Sequence, residues 1–204
     1  MSGRVRVWCL RHAESEANAK VPGAAEDCGL TELGRRQAIA AAQLLAAEPI
    51  TRIFCSTALR ARQTAEMLAP APAATPGLPV MAMPELVEVG VSADVLRAWV
   101  VEQDPGQRAA DGETGHQVVA RVTAAMQQIA DAHPGETVAV VGHVASLTVA
   151  LARFCALGAT VWDAPLPHAR PFLVEWDGQT WRCPAWPGAV EQPLGMPSTF
   201  AAPD

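Results

Sequence analysis

Two short, mainly apolar segments, each followed at once by a histidine, constrain the fold of this chain most. Val5 to Leu10 contains valines and leads into Arg11 and His12. Glu136 to Gly142 is the clearest strand pattern in the chain, and His143 follows it. Such runs are typical of strands buried on both faces of a parallel sheet. We therefore predict an α/β protein with both histidines at carboxyl ends of strands, where open α/β sheets bind ligands.

Helical and strand patterns alternate along the rest of the chain. Thr31 and Thr114 are predicted to cap two helices, and Ser56 or Thr57 is predicted to cap a third, which follows a strand ending at Ser56. A weak strand is expected at 80–83, and Asp177-Gly178 predicts a terminal hairpin turn. This order favours a three-layer α/β/α sandwich with a mostly parallel central sheet.

Length and composition narrow the classes of protein further. The 204 residues predict one domain over 1–204, with a Pro- and Trp-rich tail from about residue 177 that is a candidate for packing over the domain or mediating a homodimer. A formal charge of −6 argues against nucleic acid as a partner. No stretch is long and apolar enough to predict a membrane partner, and the five scattered cysteines favour a reducing, cytoplasmic location.

The polar residues after the first strand suggest chemistry on an anion. Arg11 can bind phosphate through two N–H donors, and His12 can supply a nucleophilic imidazole. Taken alone, an Arg-His pair could equally begin a solvated loop.

The surrounding residues favour the first interpretation. The segment Arg11-His12-Ala13-Glu14-Ser15-Glu16-Ala17-Asn18 resembles the Arg-His-Gly-Glu-Ser/Thr-x-x-Asn signature of the histidine phosphatase superfamily, the phosphoglycerate mutase-like group. Further segments resemble other sequence motifs of that family and occur in the same order: Leu30–Ala38, Ser56–Ala65, Gly112–Thr114 and Val140–His143. Two departures stand out, since Ala13 and Val144 each occupy a position where the family has glycine.

The resemblance implies a phosphoglycerate mutase-like fold and a role for each matching residue. His12 would be the nucleophile, with Arg11, Arg60 and a protonated His143 holding the phosphoryl oxygens. The residues expected to bind substrate are Ser15, Asn18 and Glu113. No metal ligand spacing is present, and neither a metal nor another cofactor is expected.

The proton donor is the least defined member of the predicted site. Leu86-Val87-Glu88 matches the first half of the family's Leu-x-Glu-x-x-x-Gly motif. The second half does not match, because only Val89 separates Glu88 from Gly90. Glu88 is therefore the preferred acid and Glu85 the alternative.

The predicted function is that of a phosphatase acting on a small phosphorylated substrate, a phosphomonoester, through a phosphohistidine on His12. The compact chain, short after Glu88, favours hydrolysis over retention of the phospho group. Two alternatives stay open: a phosphoglycerate mutase-like phosphotransferase, and a catalytically weak member that binds a phosphate ligand. His168 lies in a proline-containing loop, and the sequence gives it no firm role.

Overall fold

A mixed β-sheet forms the centre of the protein in the computed structural model, which describes residues 3–69 and 77–189. Within these residues, six strands lie in the order β3-β2-β4-β1-β5-β6. Their bounds are β1 Val5–Arg11, β2 Ile50–Ser56, β3 Val80–Met83, β4 Thr137–Gly142, β5 Phe172–Trp176 and β6 Trp181–Arg182. The first four strands of that order run parallel, whereas β5 is antiparallel to both β1 and β6. The predicted mostly parallel sheet is confirmed.

Helices cover both faces of this sheet. The described residues form α1 Glu32–Leu45, α2 Leu59–Leu68, α3 Ala93–Arg97, α4 Gly115–Ala132 and α5 Val144–Phe154. Residues of α1 and α2 share one apolar core with the sheet, and residues of α4 and α5 share the other. The predicted α/β/α layering is confirmed. The short helix α3 continues directly into a π-helical turn, Ala98–Glu102.

Alternation along β1 and β4 explains why both strands read as continuous apolar runs. Val7 and Val140 face the α4–α5 core, while Leu10 and Val141 face the α1–α2 core. All four are fully buried, as expected for central strands of a sheet covered on both faces. The parallel register pairs Arg11 with Gly142, so the two central strands end side by side.

Local capping follows the prediction at two helices and departs from it at a third. Thr31 accepts from the Gly34 N–H, and Thr114 forms a capping box with Gln117. The prediction for α2 is wrong, because Ala58 is its N-cap residue and the Asp27 carboxylate accepts from the Leu59 N–H at 2.7 Å. The cap thus comes from a distant loop.

The carboxyl-terminal hairpin forms as predicted around Asp177 and Gly178, with Gly178 in the left-handed region at φ 98°. Trp186 is buried against Phe172, with ring centroids 5.5 Å apart. The remainder of the predicted tail, 190–204, lies outside the described residues. None of the described helices has the length and hydrophobicity needed to cross a membrane.

Candidate active site

The carboxyl edge of the parallel strands brings together side chains that are far apart in sequence. His12 follows β1 and His143 follows β4, and their imidazole centroids lie 5.1 Å apart at an interplanar angle of 63°. Both rings are almost completely buried. Because β1 and β4 are adjacent and in register to their last residues, the two histidines leave the sheet at the same place.

Hydrogen bonds fix the orientation and tautomer of the His12 ring. Its Nδ1 lies 2.7 Å from the carbonyl oxygen of Ala13, and a carbonyl can only accept, so Nδ1 carries the proton. In the neutral ring this leaves the lone pair on Nε2. The Nε–H of Arg60 donates to that nitrogen at 3.3 Å. The unprotonated nitrogen of His12, the predicted nucleophile, therefore faces one of the predicted phosphate-binding groups.

The turn after β1 accommodates alanine at the position of the family's glycine. Ala13 is fully buried, and its N–H donates to the Thr64 hydroxyl at 3.0 Å. Thr64 in turn donates to the carbonyl oxygen of Arg60 at 2.7 Å. These bonds tie the turn that carries His12 to the helix that carries Arg60.

The second departure, Val144, also needs no unusual backbone. His143 is the N-cap residue of α5 with an extended φ of −127°, and Val144 is the first residue of the helix. Neither position has a positive φ, so the turn does not require glycine.

Burial keeps both central imidazoles neutral. Burial, followed by the charges of nearby groups, lowers the pKa of His12 to about 2 and that of His143 to about 3. Arg60 and Arg11 both contribute to the lowering at His143. The expected protonated His143 therefore requires the negative charge of a bound anion.

Two buried nitrogen atoms without a partner point to where such an anion would bind. The Nε of Arg11 and the Nδ1 of His143 have no hydrogen-bond partner within 3–69 and 77–189. Other atoms of these groups are engaged, since Arg11 Nη1 donates to the Leu166 carbonyl at 3.2 Å and His143 Nε2 lies 2.7 Å from the Ser56 hydroxyl. Burial lowers the pKa of Arg11 to about 10, which leaves it charged at neutral pH.

Glu88 reaches the site from the loop after β3 and is bound to the first turn of α5. Its carboxylate accepts from the Ala145 N–H at 3.1 Å and from the Ser146 N–H at 2.9 Å. It also lies near enough to Arg11 for its negative charge to oppose the lowering of the Arg11 pKa. The structure therefore places Glu88 at the amino end of α5, the helix that follows His143, and close enough to Arg11 to interact with its charge.

Arg121 holds the loop that carries both candidate acids, and nothing local in the sequence indicated this role. It donates to the Glu85 carbonyl at 2.7 Å and to the Val87 carbonyl at 2.8 Å. It also forms a two-pronged ion pair with Glu113, with N···O distances of 2.7 and 2.9 Å. Glu113, predicted to bind substrate, is thus engaged in positioning Arg121. Glu113 lies just before the N-cap residue of α4, and Arg121 lies on that helix eight residues after Glu113.

Ser15 and Asn18 bind each other in the segment that follows β1. The buried Ser15 hydroxyl donates to Asn18 Oδ1 at 2.8 Å, and the Ser15 N–H donates to the same oxygen at 3.2 Å. Because the amide oxygen is occupied, the exposed Asn18 presents its NH2 group as the free donor.

His168 is the ring that the sequence did not assign to the site. Its centroid lies 5.6 Å from that of His12, and its Nδ1 lies 3.0 Å from the His12 carbonyl oxygen. Across the described residues, no group of three or more His, Cys, Asp or Glu side chains is arranged to hold a metal ion.

Together these features define an α/β protein in which Arg11 and Arg60 lie close to a buried, neutral imidazole, that of His12. The model of the histidine phosphatase superfamily (branch 1) matches residues 7–187, and the chain belongs to that superfamily. It is 30% identical over 154 residues to the probable phosphoglycerate mutase GpmB of Photorhabdus laumondii, covering 68% of this chain and 69% of that protein.

Solved structures share the fold over nearly the whole chain. Bacillus stearothermophilus YhfR matches with a TM-score of 0.73 and 25% identity, covering 92% of this chain and 98% of that one. The mycobacterial glucosyl-3-phosphoglycerate phosphatase matches with a TM-score of 0.69 and 24% identity, covering 90% and 98%. These likenesses agree with the observed order and direction of the strands.

Proposed function

We propose that the protein is a phosphatase that hydrolyses a small phosphomonoester through a covalent phosphohistidine on His12. The observation that carries the proposal is the placement of the His12 Nε2 lone pair, 3.3 Å from Arg60 Nε, with the His143 ring in contact. A neutral buried imidazole beside fixed positive charge meets the needs of phosphoryl transfer, which are an aligned nucleophile and stabilised equatorial oxygens.

In the first step, Nε2 of His12 attacks phosphorus and the bond from phosphorus to the leaving oxygen breaks. Arg11 and Arg60 bind the phosphoryl oxygens, and the unpartnered His143 Nδ1 can donate to another once the anion has raised its proton affinity. Glu88, as the acid, gives its proton to the leaving alkoxide, which departs as an alcohol.

In the second step, water attacks the phosphorus of phosphohistidine. The ionised Glu88 takes a proton from that water, and the bond from phosphorus to Nε2 breaks. The products are inorganic phosphate, the neutral His12 ring and a protonated Glu88. Positive charge for both steps comes from side chains, so we expect turnover to persist in the presence of a metal chelator.

Release of inorganic phosphate from a panel of phosphorylated metabolites tests the proposal. The unmodified protein should release phosphate and form an acid-labile phosphoenzyme, and His12→Ala should lose both. His116→Ala is a matched control, because His116 is an exposed histidine on α4. Retained turnover in His12→Ala would contradict the phosphohistidine mechanism.

A second candidate is a phosphomutase, and the name of the GpmB relative favours it. A mutase keeps the phospho group and returns it to another hydroxyl. Exchange of phosphate between hydroxyls of a phosphoglycerate without release would therefore identify this activity, whereas binding with neither release nor exchange would identify a catalytically weak ligand-binding member.

A further inference from the structure

The loop between α5 and β5 contacts the end of β1 at three points. Leu166 accepts from Arg11 Nη1 at 3.2 Å, and the Ala169 N–H donates to the Arg11 carbonyl at 3.0 Å. His168 Nδ1 lies 3.0 Å from the His12 carbonyl. The segment 166–169 therefore contacts both the arginine and the histidine that the proposed reaction requires.

The His168 bond does not depend on the charge of its ring. Because the His12 carbonyl can only accept, Nδ1 of His168 carries a proton in the neutral ring as well as in the cation. Burial, followed by the charge of Arg11, lowers the pKa of His168 to about 4. A neutral His168 that donates through Nδ1 is the form present at neutral pH.

The backbone next to His168 adopts a conformation that the surroundings must impose. Ala169 has a φ of 49°, in the left-handed region that residues other than glycine seldom occupy. This turn lets the Ala169 N–H bind the Arg11 carbonyl while the His168 side chain binds the carbonyl of the next residue, His12. Unfavourable conformations of this kind cluster where a site needs a fixed geometry.

We propose that His168 is a positioning residue that holds the nucleophile His12 in its reactive orientation, an inference that rests on the proposed function. Besides the bond from Arg60 to Nε2, three bonds hold His12: its N–H donates to the Gly142 carbonyl, its Nδ1 donates to the Ala13 carbonyl, and its own carbonyl accepts from His168. His168 also supplies a ring that packs against the His12 ring. Without His168, the His12 carbonyl would lose its hydrogen-bond partner, and the His12 ring would lose one of the rings that pack against it.

Three variants test this role. His168→Ala removes the donor and the ring, whereas His168→Asn places an amide NH2 where Nδ1 lies but cannot titrate. We expect His168→Ala to lower kcat about 10- to 100-fold with KM within about twofold, since small misplacements of reacting groups have effects of this size. His168→Asn should restore most of kcat with an unchanged pH profile. His116→Ala should match the unmodified protein.

Two kinetic outcomes would overturn the proposal. Wild-type kcat in His168→Ala would show that His12 needs no such support. Equal loss in His168→Asn and His168→Ala, with a limb of the pH profile missing, would instead indicate proton transfer by His168.

A readout without turnover separates this inference from the proposed function. In NMR spectra, the Nδ1 proton of His12, which donates to the Ala13 carbonyl, should be protected from exchange with water in the unmodified protein and in His168→Asn, and should exchange measurably faster in His168→Ala, where the ring is held less firmly. If the unmodified protein releases no phosphate, the proposed function fails, yet this comparison still decides the positioning role. Unchanged protection of this proton in His168→Ala would overturn it.

Discussion

The guanidinium of Arg60 donates its Nε–H to Nε2 of His12 at 3.3 Å, so a predicted phosphate-binding group is paired with the proposed nucleophile. In the proposed reaction, an entering phosphoryl group would take over that donor and free the lone pair as phosphorus comes into reach. Arg60 would then both orient His12 and bind the phosphoryl oxygens.

The first prediction concerns the geometry of this arginine. Arg60→Lys should lower kcat/KM about 100-fold, because a lysine ammonium cannot reproduce the planar, directed donors of a guanidinium. Arg62→Lys is the matched control, since Arg62 is exposed on the same helix. Steady-state kinetics on one phosphomonoester would measure both, and equal effects of the two variants would count against a direct role for Arg60.

The second prediction distinguishes Glu88 from Glu85 as the proton donor. Glu88→Gln should lose turnover of an alkyl phosphate about 100-fold or more, because the alkoxide needs a proton to leave. With p-nitrophenyl phosphate, whose leaving group needs none, Glu88→Gln should keep a burst of nitrophenolate followed by slow steady-state release. Glu85→Gln should behave like the unmodified protein. Rapid-mixing absorbance measurements would show the burst, and a leaving-group effect in Glu85→Gln instead would reassign the acid.

The third prediction is a loss of stability on acidification. In the unfolded chain His12 and His143 have pKa values near 6.5, whereas the fold lowers them to about 2 and about 3. As pH falls below about 6.5, the unfolded state binds protons that the native state excludes, so stability declines until the folded pKa values are reached. At pH 5 each ring should contribute a loss of about 2 kcal/mol in the free energy of unfolding.

Urea denaturation at pH 7.5 and pH 5 would measure this loss. His143→Gln removes one of the two rings, so its pH-dependent loss should be smaller by about 2 kcal/mol than that of the unmodified protein. Inorganic phosphate should also reduce the loss, because a bound anion raises the proton affinity of the native imidazoles. An identical pH dependence in both proteins would contradict the assignment to His143.

Patterns within single elements predicted much of the fold and the two central histidines. The apolar runs at β1 and β4 and the capping residue Thr114 lie in continuous sequence, and each formed where its pattern indicated. Adjacency of parallel strands then brought His12 and His143 together.

The supporting contacts could not be predicted in the same way, because they join elements that only the tertiary packing brings close. The Asp27 cap on α2, the Glu88 bonds to α5 and the His168 bond to His12 each link a loop to a distant strand or helix. Nothing in the local pattern around these residues identifies the partner. The groups proposed to react are therefore easier to predict from the sequence than the groups that hold them in place.

The last prediction concerns Arg121, which joins Glu113 to the loop before Glu88. Arg121→Met should lower the free energy of unfolding by about 1 to 3 kcal/mol, since it leaves a partly buried carboxylate and two carbonyls without their donor. It should also lower kcat, because the Glu88 loop loses its attachment to α4. Arg97→Met breaks an ion pair with Glu102 that is about half exposed, and should change stability by less than about 1 kcal/mol.

A double variant separates the two effects of Arg121. Arg121→Met combined with Glu113→Leu removes both charges, so much of the stability should return, as it often does when a buried pair is replaced by apolar side chains. The carbonyls of Glu85 and Val87 would still lack a donor, and kcat should stay low. Denaturation would measure the recovery of stability, and steady-state kinetics on the same samples would measure kcat. Recovery of kcat together with stability would show that Arg121 acts on the fold alone and does not position Glu88.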